Sequence, residues 1–211
     1  MTSYKKWWWL LVIVSLGVTI PFAAPYFTLN PALSRVPVAS TAIHFPLLIA
    51  HIMFACLALV SGFFQFIDRI RTKSPNVHRY LGRVYVGSVF LSGLCALAIV
   101  VYIENFTKAI SFLALSLIWL FTCWKGYRAA VRKSFDEHRK WMIRSFGVTL
   151  AAVSGRVAVP VLLLIYFALH GLTLPEGREK MIEEALNVNI WAALLLNFMI
   201  VEWKLLASKR K

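Results

Sequence analysis

Long apolar runs alternate with short polar connections along the chain. A helix that crosses a bilayer needs roughly 20 apolar residues, and six runs reach that length, over about 7–27, 46–67, 80–103, 109–129, 145–169 and 188–206. The loop 28–45 carries Pro31 and Pro37. The turn Glu104-Asn105-Phe106-Thr107-Lys108 is short, so the third and fourth helices form an antiparallel hairpin. Pro160 predicts a kink in the fifth helix. Residues 170–187 are polar and acidic, with Glu176, Glu179, Glu183 and Glu184, and their middle suits a short interfacial helix. The expected fold is an all-α integral membrane protein, a single membrane domain over 1–211. Helices two to five form its four-helix core, and helices one and six flank it.

Two of the polar connections resemble each other. The first lies within Gln65–Tyr85 and holds Asp68, Arg69, Arg71, Lys73, the Ser74-Pro75-Asn76 turn, His78-Arg79 and Gly82-Arg83. The second is Phe135-Asp136-Glu137-His138-Arg139-Lys140-Trp141-Met142-Ile143-Arg144-Ser145-Phe146. Each reads His-Arg, then a further Arg, then an apolar helix. A unit of helix, basic turn and helix thus occurs twice, as helices two–three and four–five. His78 and His138 take matching places at the starts of helices three and five.

Composition agrees with lipid as the solvent. Hydrophobic residues make up 60% of the 211 residues, and the mean hydropathy is +0.71. A soluble domain is about 45–50% apolar. The net charge of +14 would suggest nucleic acid in a soluble protein. Here the cations cluster between apolar runs, so the partner is an anionic inner leaflet and not nucleic acid. Placing both termini in the cytoplasm puts 18 Lys and Arg inside and four outside, which sets the orientation. The first run reads as an uncleaved anchor, with Lys5-Lys6 before it and Trp7-Trp8-Trp9 in the interfacial belt. A signal peptide cut near Ala23-Ala24 is the alternative, and Pro25 is a poor residue to follow a cut. Cys56, Cys95 and Cys123 lie within apolar runs without Cys-x-x-Cys spacing, which points away from disulfides and zinc.

Polar groups inside a span are costly and therefore candidates for function. His51 leads a face of helix two that continues through Ala55, Ala58, Gly62 and Gln65. Small residues there either let a neighbouring helix approach or make room for a flat cofactor with His51 as its ligand. His78 and His138 at the inner surface are suitable iron or zinc ligands, each followed by an Arg able to pair with a propionate or phosphate. Arg156, in the middle of the fifth run, requires an acceptor, for which Asn197 and Gln65 are suited. His44 and His170 belong to the outer surface and are expected to be solvated. There is no Gly-rich phosphate loop, His-Glu-x-x-His or nucleophile elbow. Glu202 is the one intramembrane acid, which counts against a simple proton-coupled carrier.

His51-x-x-Phe54-Ala55-x-x-Ala58-Leu59-x-x-Gly62-x-Phe64-Gln65-Phe66, then His78-Arg79-x-x-Gly82-Arg83-x-Tyr85, then His138-Arg139-x-Trp141-Met142-x-Arg144-Ser145 resemble a family of predicted bacterial membrane proteins known as domain of unknown function 2306. The likeness covers about residues 47–206 and leaves 1–45 as an anchor helix and outer loop. It implies a multi-pass fold in the bacterial inner (cytoplasmic) membrane. His78-Arg79-Tyr80-Leu81-Gly82 is also similar to a helix start in transmembrane b-type cytochromes, which implies haem b held between histidines. Such cytochromes pair four ligands by depth. Helix four offers no histidine to match His51, so one inner haem is the version these residues support.

Three functions are therefore weighed. The leading one is a haem-binding electron carrier or membrane oxidoreductase. His78 and His138 face each other as axial ligands, and Arg79, Arg139 or Arg144 meets the propionates. His51 and Arg156 line a deeper site for haem or quinone. The second is a non-enzymatic transporter, assembly factor or docking subunit whose histidines and Arg156 are interhelical contacts. The third is a divalent-metal site built from His78, His138, Asp136 and Glu137.

Overall fold

The structure is a computed structural model that describes residues 2–207, with side chains from Lys6 onward. The Lys5 side chain and Lys209, Arg210 and Lys211, counted above toward the inner face, lie outside the described residues. The described chain is all-helical, and six of its helices are long and apolar enough to cross a membrane. The chain divides into two compact units, Met1–Tyr102 and Ile103–Lys211.

The first unit contains α1 (Thr2–Ala23), a 3-10 turn (Ala24–Thr28), α2 (His44–Gln65), the short α3 (Asp68–Lys73) and α4 (Pro75–Ile99). Both spans after α1 start earlier than hydropathy suggests. Pro46 and Pro75 lie in the first turns of α2 and α4, where a missing N–H costs no helical bond. The basic connection is thus largely helical, and His78 and Arg79 belong to the first turns of α4. The unit's core is the seam between α2 and α4. Ala58, Ser61 and Gly62 on one side meet Tyr85, Ser88, Val89, Ser92 and Gly93 on the other, all of them buried. Small residues at such a seam let two backbones approach closely, which is how helices associate in lipid. The α1 helix lies against α2 through Trp8, whose ring centroid is 5.6 Å from that of Phe63 and 5.8 Å from that of Phe66. Trp7 and Trp9 remain exposed, as interfacial tryptophans do.

The second unit contains α5 (Phe106–Val131), α6 (Phe135–Thr149), α7 (Ala151–Leu169) and α8 (Gly177–Ala207). The Asn105 side chain caps α5 by accepting from the Lys108 N–H at 3.0 Å. A tight reversal ends it. The Ser134 N–H donates to the Ala129 carbonyl and the Lys133 N–H to the Ala130 carbonyl, with Lys133 at φ 61°. This is the Schellman pattern, here without the usual glycine. It folds α6 back along α5, and Gly126 makes the close approach feasible. A Cβ on Gly126 would lie 2.6 Å from Met142 Sδ.

The unit departs from expectation in three places. The fifth apolar run is two helices, interrupted at Leu150 and not simply kinked at Pro160, which lies within α7. The last helix begins at Gly177, so the acidic segment forms its first turns. Lys180 Nζ there lies 3.3 Å from Glu183 and 3.1 Å from Glu184, the spacing that favours helix. The sixth span is also not a flanking element within its unit, because α8 packs on α7, α5 and α6. A Cβ on Gly155 of α7 would be 3.4 Å from Ile190 and 3.6 Å from Ala193 of α8. Large apolar side chains on the outer faces, among them Leu164, Leu195, Phe198 and Met199, are exposed, as lipid contact requires.

Candidate functional site

His51 sits on the α2 face of the seam and makes a reciprocal contact with Ser92 of α4. Its Nδ1 is 3.0 Å from the Ser92 carbonyl, to which it can only donate, and 2.9 Å from the Ser92 hydroxyl. The Ser92 hydroxyl in turn donates to the His51 carbonyl at 2.9 Å. At the other end of the same face, Gln65 Nε2 donates to the His78 carbonyl at 3.0 Å. Both polar ends of the small-residue stripe therefore reach α4, and α4 occupies the space alongside its buried middle.

His138 occupies the first turn of α6. Its Nδ1 donates to the Gly126 carbonyl at 2.8 Å, across the reversal. The backbone of both matching histidines is set alike. The His78 N–H donates to the Ser74 carbonyl at 3.0 Å, and the His138 N–H to the Ser134 carbonyl at 2.9 Å. Ser-x-x-x-His-Arg therefore opens both helices, a spacing present in the sequence but easily passed over beside the more obvious His-Arg. His78 belongs to the first unit and His138 to the second. Donation from Nδ1 to a backbone carbonyl at His51 and at His138 leaves Nε2 as the ring nitrogen available to a ligand. The same outer bond orients imidazoles that ligate metals and haem iron.

The arginines divide into two groups. Arg79 and Arg139 are exposed at the starts of α4 and α6. Arg144 is engaged within its own unit, where Nε and Nη2 donate to the two Glu202 oxygens at 2.6 and 3.0 Å. The hydrogen bond with Glu202 raises the Arg144 pKa further above its ordinary value. That carboxylate occupies the fork a propionate would use. Arg156 Nη1 donates to the Ala152 carbonyl of its own helix at 2.6 Å. Asn197, one expected acceptor for it, has other work. Its Nδ2 donates to the Gly147 carbonyl at 3.0 Å, and its Oδ1 is 2.9 Å from the Ser154 hydroxyl. These bonds bridge the interruption at Leu150. Beside them, Trp119 Nε1 donates to Thr149 Oγ1 at 2.9 Å. This polar cluster was not anticipated, because its members are scattered over α5, α6, α7 and α8 and none is charged.

The two remaining histidines differ. His170 is exposed, donates from Nδ1 to the Tyr166 carbonyl at 2.8 Å and stacks on the Tyr166 ring. His44 is buried, contrary to expectation. It stacks on Tyr102 at 4.5 Å, and its Nδ1 accepts from the Ala39 N–H at 3.1 Å. The loop before α2 thus reaches it through the Ala39 backbone. Among the described residues no three His, Cys, Asp or Glu side chains converge on one point. Of the expected divalent-metal set, Asp136, Glu137 and His138 belong to the second unit and His78 to the first.

No curated protein and no solved structure matches the chain. One family model does, that of the predicted membrane proteins DUF2306, over residues 48–204. The match runs from the first turns of α2 to the last turns of α8 and includes both His-Arg helix starts. With six membrane-length helices and that match over most of its length, the chain belongs to the DUF2306 family of predicted membrane proteins.

Proposed function

We propose that this multi-pass protein binds haem b and carries electrons, in a bacterial inner membrane, with both termini in the cytoplasm. The bias of Lys and Arg toward the connections after α2 and α5 supports that orientation. The observation that carries the haem reading is the pair of Nδ1–H bonds to backbone carbonyls at His51 and His138. Each orients an imidazole through Nδ1 and leaves Nε2 as the nitrogen to ligate iron. His138, next to the exposed Arg139, is the leading ligand. His78, next to the exposed Arg79, is its counterpart in the first unit. His51 serves a second site deeper in the bilayer, within its own unit, for haem or a quinone. Haem supplies one-electron chemistry when bound. The protein's part is to hold the imidazoles, offer Arg79 and Arg139 to the propionates and exclude water.

A second reading has its own observation. The reciprocal His51–Ser92 bonds join two helices at a seam of small residues, and such a contact needs no cofactor. Haem content separates the two. Protein expressed with ample haem should carry it stoichiometrically, and His138→Ala should lose it while eluting as a folded species. Wild-type protein that purifies folded and haem-free would favour the purely structural role.

A further inference from the structure

The inner ends of α5 and α6 carry a second feature, separate from the histidines. Lys125 Nζ lies 5.6 Å from the ring centroid of Trp141 and 5.9 Å from those of Phe121 and Trp124. The Arg128 guanidinium lies 4.8 Å over Trp124. A cation over an aromatic face is attracted to it, so these two side chains are held in place without a counter-charge. No carboxylate pairs with either of them among the described residues. Glu137 pairs with Lys140 at 3.2 Å and Glu202 with Arg144, and no ion pair among the described residues links Asp136 to either cation. Lys140 lowers the Glu137 pKa, so that carboxylate stays ionised and paired.

Depth adds to the argument. The 26 residues of α5 span about 39 Å at 1.5 Å per residue, against about 30 Å for the hydrocarbon core. Its last turns therefore project to headgroup level, where tryptophan is also favoured. Trp124, Tyr127 and Arg128 are exposed there.

We infer that Lys125 and Arg128, framed by Trp124 and Trp141, form a binding site for the phosphate of an anionic phospholipid. The cations meet the phosphate oxygens, and the exposed edge of Trp124 packs along the glycerol and first methylenes. The orientation given under Proposed function decides only which leaflet supplies the lipid. Binding itself does not depend on it, nor on haem.

Native mass spectrometry of the full chain, released from an uncharged detergent, tests this with phosphatidylglycerol and phosphatidylcholine as probes. Wild-type protein should retain one phosphatidylglycerol in preference to phosphatidylcholine. K125Q/R128Q should bind it about tenfold more weakly, from the loss of two interfacial cations. R132Q/K133Q removes the same charge from the adjacent turn and should change binding by less than about twofold. Should K125Q/R128Q fail to fold, W124A with both cations intact must show the weakened binding instead. No preference in the wild type, equal losses in the two double variants, or displacement by millimolar inorganic phosphate would each overturn the assignment.

Discussion

Arg144 and Glu202 show how a costly pair is made tolerable in a mostly apolar unit. Two parallel bonds satisfy both groups, and each side chain is about a quarter exposed (28% and 24%), so neither ion is fully buried. Removing one partner leaves the other ion poorly solvated, whereas the pair's own net worth is small. Glu202→Ala should therefore destabilise the protein by about 1–3 kcal/mol. Thermal unfolding in detergent measures this, and an unchanged midpoint would show that the pair is dispensable. The residue scale is also where the sequence is least explicit. His51 stands out as a polar residue in a span, but its acceptor, Ser92, is a common residue on another helix. His44 looks like a solvated loop residue because the ring covering it, Tyr102, lies at the far end of the unit's chain.

Among the elements, the interruption between α6 and α7 is the main departure from the hydropathy pattern. Nothing local announces it. No proline or glycine sits at Leu150, and Pro160 lies further on, within α7. Its partner is Asn197 of α8, which receives the Ser154 hydroxyl and donates to the Gly147 carbonyl. Asn197→Ala leaves that carbonyl without its side-chain donor. At about 0.6–2 kcal/mol per bond in a membrane protein, the loss should be about 1–3 kcal/mol. An unfolding midpoint equal to the wild type would show that the break holds without the amide. Glycines make a sharper pair of tests. A Cβ at Gly147 would lie 2.7 Å from Val201 Cγ2, whereas nothing lies within 4 Å of one at Gly87. Gly147→Ala should cost about 1–3 kcal/mol because β-branched Val201 cannot swing away. Gly87→Ala should be neutral or stabilise by up to about 1 kcal/mol through helix propensity. Equal shifts of the two would mean that α6 and α8 are not so closely packed. The six spans themselves were legible because length and hydropathy suffice to define them. Their ends were not, because amphipathic turns such as those opening α4, α6 and α8 are helical without being apolar.

For the molecule as a whole, charge distribution is the feature most easily read and easily tested. Residues such as Ser134, in the basic turn after α5, and Thr173, after α7, should lie on opposite sides of the membrane. With the three native cysteines replaced, a cysteine at Thr173 should react with an impermeant maleimide in intact cells. One at Ser134 should react only after the membrane is opened. The reverse pattern would invert the protein and move both His-Arg helix starts to the outside. The division into two units, each with a basic reversal leading to Ser-x-x-x-His-Arg, repeats the recurrence seen along the sequence. That recurrence puts His78 and His138 at corresponding helix starts, one in each unit.

The most direct measurement is the reduced-minus-oxidised absorption spectrum of the protein purified from cells supplied with haem. The account predicts a Soret band and sharp α and β bands on reduction, lost in His138→Ala. A folded, monodisperse protein without a Soret band would contradict it.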